Sequence, residues 1–347
     1  MKNENEKSTI YDIAQQLRVA TSTVSRALND HPKISTRTKS AVKRIAKQLN
    51  YQPNNIAAAL RNGRSKIIGV VIPRIDDSLF SLAVRGIEEV ANKSHYNVMI
   101  CQTHDSFEKE VETVEVLLNS RVDGIIASFS KNTMQFDHLL KIRQRGTPLI
   151  LFDRTEASIP VNQVGSDDFL GGYRATTHLI EQGYRSIAHF TSSATIHTFQ
   201  ERLRGYKQAL ADHGIRFDES LVQNSNLLFE DGHQCIKKLL SLPRKVDAVF
   251  SANALSAMGA IQALKEAGKK IPQEVGIVGF NDEVFTIMST PQLSTIDQHN
   301  ELIGNAAANL FLEELNKESV ISIPRQIVIE PHLIIRKSSL RMDNTEL

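Results

Sequence analysis

From Ile67 onward, short apolar runs alternate with longer stretches of helical periodicity, and that alternation limits the possible folds more than any other feature of the chain. Apolar runs at 67–72, 97–101, 124–128 and 149–152 make one series, and runs at 187–191, 247–252 and 275–279 make a second. Helical patterns fill the gaps, over 80–92, 108–119, 169–182, 204–213, 232–240 and 256–267. Such a chain closes by parallel pairing, because each crossover then lays a helix on a face of the sheet. Two series predict two α/β lobes with parallel sheets. Gly183, Gly214 and Gly268 stand where three of the helical patterns stop. Glycine there accepts the left-handed conformation that ends a helix.

The first 66 residues do not join this alternation, and their charge differs. They hold 13 Lys/Arg against 4 Asp/Glu, a net of +9, while the other 281 residues carry −7. The overall +2 conceals that split. A small basic head on a mildly acidic body points to nucleic acid, unless the head is only a solvated helix face or a disordered basic arm. Its internal pattern argues for folded structure. Thr9 and Asp12 make a capping pair, and Ile10, Ile13, Ala14 and Leu17 share one helical face. After a turn at 18–20, a second helix over 21–28 keeps Val24, Ala27 and Leu28 inward. Its other face carries Thr21, Ser22, Ser25, Arg26 and Asn29. A third helix over 36–49, capped by Ser35, turns Val42, Ile45, Ala46 and Leu49 inward and five Lys/Arg outward. This is the layout of an all-α helix-turn-helix head.

Other classes fit poorly. The strongest apolar run, Ile67–Ile72, is far short of a membrane span, and the polar start lacks the apolar core of a signal peptide. Cys101 and Cys235 are too few for a disulfide framework and too far apart for a metal motif. A cytoplasmic protein is expected. No glycine-rich phosphate loop, H-E-x-x-H or G-x-S-x-G element is present. Neither an enzymatic activity nor a cofactor or metal is therefore expected.

The head also resembles a known family. The motif T-I-Y-D-I-A-x-x-L-x-V-A-x-S-T-V-S-R-A-L-N over 9–29, followed by Ile34-Ser35 and L-N-Y-Q-P-N over 49–54, is similar to the DNA-binding head of the lactose-repressor/galactose-repressor (LacI/GalR) family. The segment 53–61 resembles that family's hinge helix, and the likeness extends to about residue 340. It implies a DNA-binding set of Thr9, Tyr11, Thr21, Ser22, Thr23, Ser25, Arg26, Asn29, Tyr51, Asn54, Ile56, Ala57 and Leu60. Arg26 can pair bidentately with guanine in the major groove, and Leu60 matches the family's minor-groove wedge. Ala20 stands where the family commonly has Ser, which removes a helix cap worth about 1 kcal/mol.

The body resembles the periplasmic sugar-binding-protein fold that the family uses for effectors. Laid on this sequence, the family pattern makes Asp153 an acceptor for ligand hydroxyls, Arg202 a charged donor, Asn253 a two-way amide, Asn281 a second polar anchor and Phe80 an aromatic wall. Asp, Arg and Asn together satisfy vicinal hydroxyls, which donate and accept at once. Taken singly, Asp153 also suits a loop cap, Arg202 a surface ion pair, the two Asn residues turns and Phe80 a core. Two departures stand out, Ala254 in place of Asp and His299 in place of Pro.

The expected organisation is a DNA-binding domain over 1–52, a hinge helix and linker over 53–66, an effector-binding and dimerisation body over 67–340, and a tail over 341–347. The first lobe would take 67–162 and 295–323, and the second 163–294 and 324–340. The resemblance implies a repressor acting as a homodimer on palindromic operator DNA under control of a carbohydrate-like effector. Three rival readings remain. A constitutive regulator with a degenerate cleft is favoured by Ala254. An exported sugar-binding protein lacks a reason for the +9 head, and an enzyme lacks its motifs.

Overall fold

The computed structural model describes residues 8–51, 64–156, 158–192, 196–316 and 323–341, which form two compact units divided after Ser65. The first unit contains α1 (Ile10–Leu17), α2 (Thr21–Leu28) and α3 (Thr36–Gln48). The expected inward faces meet in one core of Ile13, Ala14, Val24, Ala27, Val42, Ile45 and Ala46. Arg18 closes α1 in the left-handed region (φ 52°), and the next amide, Val19, donates to Ala14 O at 3.0 Å. The Ser35 hydroxyl caps α3 by accepting from Thr38 N–H at 3.2 Å. Ala20, the N-cap of α2, has no side chain to do the same. Ala20→Ser should stabilise this helix start by about 1 kcal/mol. Hydrogen exchange on the full chain should then show the α2 amides protected by about fivefold more; unchanged protection would show that the cap position is already satisfied.

The second unit starts with β1 (Ile67–Ile72), α4 (Ser78–Lys93), β2 (Asn97–Gln102), α5 (Phe107–Asn119), β3 (Gly124–Ala127), α6 (Asp137–Gln144), β4 (Leu149–Phe152) and β5 (Asn162–Ser166). It continues with α7 (Asp168–Glu181), β6 (Ile187–Ser192), α8 (His197–Asp212), β7 (Val222–Ser225), α9 (Phe229–Leu240), β8 (Ala248–Ser251), α10 (Ala254–Glu266), β9 (Gly276–Phe280), α11 (Val284–Met288) and β10 (Ser294–Asp297). The last elements are α12 (Asn300–Leu315), β11 (Gln326–Ile329) and β12 (His332–Ile334). Two six-stranded sheets result, in the orders β11-β5-β4-β3-β1-β2 and β12-β10-β9-β8-β6-β7. Every pairing is parallel except β10 with β12.

Sheet membership moves the lobe boundaries by several residues. β5 and β11 pair with each other in the first sheet, although 163 onward and 324 onward were expected in the second lobe. β10 belongs to the second sheet, although 295 onward was expected in the first lobe. Each strand runs to its end before the chain crosses, so the crossings fall in the loops after Ser166, Asp297 and Ile329.

In the first lobe α12 lies against α4 at backbone contact. A Cβ on Gly304 would stand 1.9 Å from Ala83 O, and one on Gly86 2.2 Å from Glu301 O. Only glycine permits that approach, which fixes the returning helix on the sheet. No described helix is long and apolar enough to cross a membrane.

Candidate functional site

Loops at the C-terminal ends of strands from both sheets enclose a cavity of about 300 Å³. Strand ends are where open α/β sheets leave a crevice, since the helices that follow start beside it. All five residues expected to bind an effector line this cavity.

Asp153 follows β4 in the left-handed region (φ 61°), a conformation that a short polar side chain tolerates. It is 7% exposed, and the Ser128 hydroxyl reaches its Oδ2 at 3.5 Å. Burial pushes its carboxyl up to about 7, against the pull of the Arg154 and Arg202 charges. Asn281 follows β9, also at positive φ (74°). Its side-chain Oδ1 is buried with no hydrogen-bond partner among the described residues.

Arg202, 3% exposed on α8, lines the cavity and is at the same time a structural cation. Its Nε and one terminal nitrogen both reach Asp168 Oδ1 at 2.8 Å, and the other donates to Ala252 O at 2.6 Å. The Phe280 ring centroid lies 3.6 Å from the guanidinium carbon. Asn253 is the N-cap of α10. Its Oδ1 accepts from Ser256 N–H at 3.0 Å and from the Ser256 hydroxyl at 2.6 Å, and its Nδ2 donates to Leu227 O at 2.9 Å. One amide hydrogen remains for a ligand. Phe80 is 2% exposed and meets Phe152 edge-on, so it is at once first-lobe core and cavity wall. Ala254 is fully buried in the second-lobe core and does not line the cavity. His299 takes φ 58° before α12, where its N–H donates to Asp297 Oδ1 at 2.8 Å.

Sequence reasoning missed several charged lining residues, including Arg74, Asp77, Asp105, Lys131, Arg154 and Glu283. The signal was present in part: P-R-I-D-D follows β1 directly, and Arg154 adjoins Asp153. Asp105 joins the set through contacts distant in sequence, accepting from Arg154 at 2.6 Å and from Lys131 N–H at 3.0 Å.

In the first unit, Val24 and Ala27 of α2 are buried while Ser22, Arg26 and Asn29 are exposed, with Thr21, Thr23 and Ser25 half-buried. Asn29 Nδ2 donates to Ser25 O at 2.8 Å. Thr9 and Tyr11 are exposed at the start of α1, where the Asp12 carboxylate accepts the Thr9 N–H at 2.7 Å. Tyr51 is half-buried against the helical core. Asp30 engages two of the outward cations of α3: Lys43 pairs with its carboxylate at 2.9 Å and Lys39 donates to its carbonyl at 2.8 Å. Asn54, Ile56, Ala57 and Leu60 lie outside the described residues.

Comparison with known proteins identifies the two parts. Residues 65–336 match the family described as periplasmic binding proteins and sugar binding domain of LacI family, and residues 9–54 match bacterial regulatory proteins, lacI family. The chain belongs to the LacI family. Among its LacI-family relatives, the HTH-type transcriptional regulator RegA of Clostridium saccharobutylicum is 31% identical over 334 residues, covering 96% of this chain and 99% of the relative. The HTH-type transcriptional repressor PurR of Pasteurella multocida is 30% identical over 333 residues, covering 95% and 98%. The solved transcriptional regulator CelR–cellobiose complex superposes with a TM-score of 0.73 at 26% identity, covering 96% of this chain and 100% of that one. The expected fold class holds: a LacI helix-turn-helix domain is followed by a two-sheet, parallel-rich body of periplasmic-binding type. These relatives are transcriptional regulators, two of them of HTH type and one solved as a complex with cellobiose.

Proposed function

We propose that the chain is a transcriptional repressor that binds a palindromic operator as a homodimer in the cytoplasm, with its affinity set by a carbohydrate-like effector in the interlobe cavity. The observation that carries this reading is convergence. Five residues far apart in sequence line one cavity, and one of them, Asn281, holds a buried acceptor without a partner among the described residues. The CelR relative was solved with cellobiose, which supports a sugar as the ligand class. Arg26, exposed on α2, reads bases, while Thr21 and Ser22 contact the groove edge. Two-fold pairing of heads matches a two-fold DNA site, and a pair of Leu60 side chains wedges its central step.

A constitutive regulator with a degenerate cleft is the second reading. The commitment of Asn253 Oδ1 to a helix cap and the burial of Ala254 favour it.

Two measurements on the full chain test these readings. Arg26→Ala should weaken binding to an operator selected from random duplexes by about 1–3 kcal/mol and relax selectivity at one base pair; undiminished binding would remove Arg26 from base recognition. A thermal-shift screen against mono- and disaccharides and their derivatives should find a ligand that raises the midpoint, since binding stabilises the native state by mass action. A screen in which no probe shifts the midpoint, with operator binding intact, would favour the constitutive reading.

A further inference from the structure

The charges around the cavity do not balance. Arg74 is held by Asp76 through hydrogen bonds of 3.0 and 2.6 Å, Arg154 by Asp105 at 2.6 Å, and Arg202 by Asp168 at 2.8 Å. Among the described residues this leaves three lining carboxylates outside any ion pair, Asp77, Asp153 and Glu283, against one ammonium, Lys131.

Two of the three line the cavity from different lobes. Asp77 ends the loop after β1 and caps α4 by accepting from Leu79 N–H at 3.0 Å. Glu283 follows β9 and precedes α11. Burial, aided by the Asp77 charge and opposed by Ser78, pushes the Glu283 carboxyl up to about 7. Burial also raises Asp77, against the charges of Arg154 and Arg74. Each lobe thus brings to the cavity a carboxylate that stands outside any ion pair among the described residues, with the Arg154 and Arg74 charges easing only Asp77. Asn281, two residues before Glu283, independently presents a buried carbonyl with no donor among the described residues. The acceptor at Asn281 calls for a hydrogen-bond donor, and the ionised forms of Asp77, Asp153 and Glu283, outside any ion pair among the described residues, are best met by a positive one.

Resting on the effector-cleft reading above, we propose that the cavity takes a polyhydroxylated ligand bearing an ammonium group, such as an amino sugar or an aminopolyol. The ammonium sits between Asp77 and Glu283, and the hydroxyls reach Asp153 and Asn281. A cation in that seat relieves repulsion that grows as the lobes approach, so it favours the closed cleft. A phosphate there would add a third negative charge, and an acetylated amine would offer one neutral donor.

The test uses calorimetric titration of the full chain near pH ~7 with matched probes. Glucamine is compared with sorbitol, glucosamine with glucose and N-acetylglucosamine, and glucose 6-phosphate serves as the anionic probe. The ammonium member of each pair should bind about tenfold tighter or better, as for a charge-assisted contact against a neutral one. That preference should fall to about threefold or less in the near-isosteric Asp77→Asn/Glu283→Gln variant. Equal or tighter binding of a neutral or phosphorylated probe overturns the ammonium assignment and leaves the cleft an effector site. A preference that survives the double substitution places the cation elsewhere and overturns the seat. Absence of binding by every probe also overturns the inference, while the wider carbohydrate screen decides the cleft reading separately. The probe comparison on the unaltered chain stands even if the double variant fails to fold.

Discussion

Replacing Arg202 with alanine is expected to cost about 3–5 kcal/mol of stability, because it leaves the buried Asp168 carboxylate without its cation. Both residues are nearly inaccessible, at 3% and 8%. Three hydrogen-bonding directions of the guanidinium are engaged by protein, and its face rests on Phe280. Against a total stability of about 5–15 kcal/mol for an ordinary domain, that loss is large. The sign of its pH dependence follows from Asp168. Burial holds that carboxyl above its ordinary value and the Arg202 charge opposes the rise. Without the arginine the folded state holds its proton more tightly, so the variant should lose further stability as pH rises above about 4. Urea unfolding at several pH values measures both effects. A loss below about 1 kcal/mol at neutral pH would show that the pair is readily accommodated without its cation. An absent effector response in this variant therefore needs a stability control before it says anything about ligand contact.

Asp153→Asn is expected to act in the opposite direction. The folded carboxyl titrates at about 7, against an ordinary value of 3.8. Below the ordinary value both folded and unfolded states are protonated, and Asp153 has no net effect. Between the two values the folded state binds more protons, so stability falls as pH rises and levels off above about 7. At about 1.36 kcal/mol per pH decade, the accumulated penalty approaches about 4 kcal/mol. Asparagine cannot ionise and escapes it. Relative to the unaltered chain, the variant should gain stability steadily from about pH 4 to pH 7 and keep that gain at pH 8. Parallel stability curves for the two proteins would refute the argument. The same substitution removes an acceptor from the cleft, so added stability should accompany weaker effector binding, a trade common at functional sites.

Much of this was legible in the sequence, for reasons that differ by element. α1 and α2 have the bounds their apolar spacing dictates, since each is short, amphipathic and bounded by a local stop. The runs at 67–72 and 149–152 are strands to the residue, because both sheet faces are covered and every position is apolar. β5 escaped notice because it buries Asn162 and Gln163. Their amides are satisfied by partners that no periodicity reveals: Asn162 donates to Glu314 at 2.8 Å, and Gln163 to the Glu156 carbonyl at 2.7 Å. α12 was missed because small and polar residues, Asn300, Gly304, Ala307 and Ala308, share its buried side with Ile303, Leu310 and Phe311. The candidate site residues came from the family resemblance, and all five line one cavity. What they do there was only half visible: Asn253 caps a helix and Arg202 completes a buried pair as well as facing the cleft. Those roles depend on Ser256, Leu227 and Asp168, and only Ser256 is close in sequence.

The three chain crossings lie side by side. β5 and β11 leave the first sheet as paired neighbours, β10 and β12 pair in the second, and Asp167 N–H donates to Ile329 O at 3.0 Å across two of the crossings. Two bodies joined by a single tether can tumble freely, and two joined by distant tethers are locked. Adjacent tethers leave one soft coordinate, a swing about the line they define. Whatever fills the cavity, large or small, neutral or charged, can report its presence only by setting the value of that single angle.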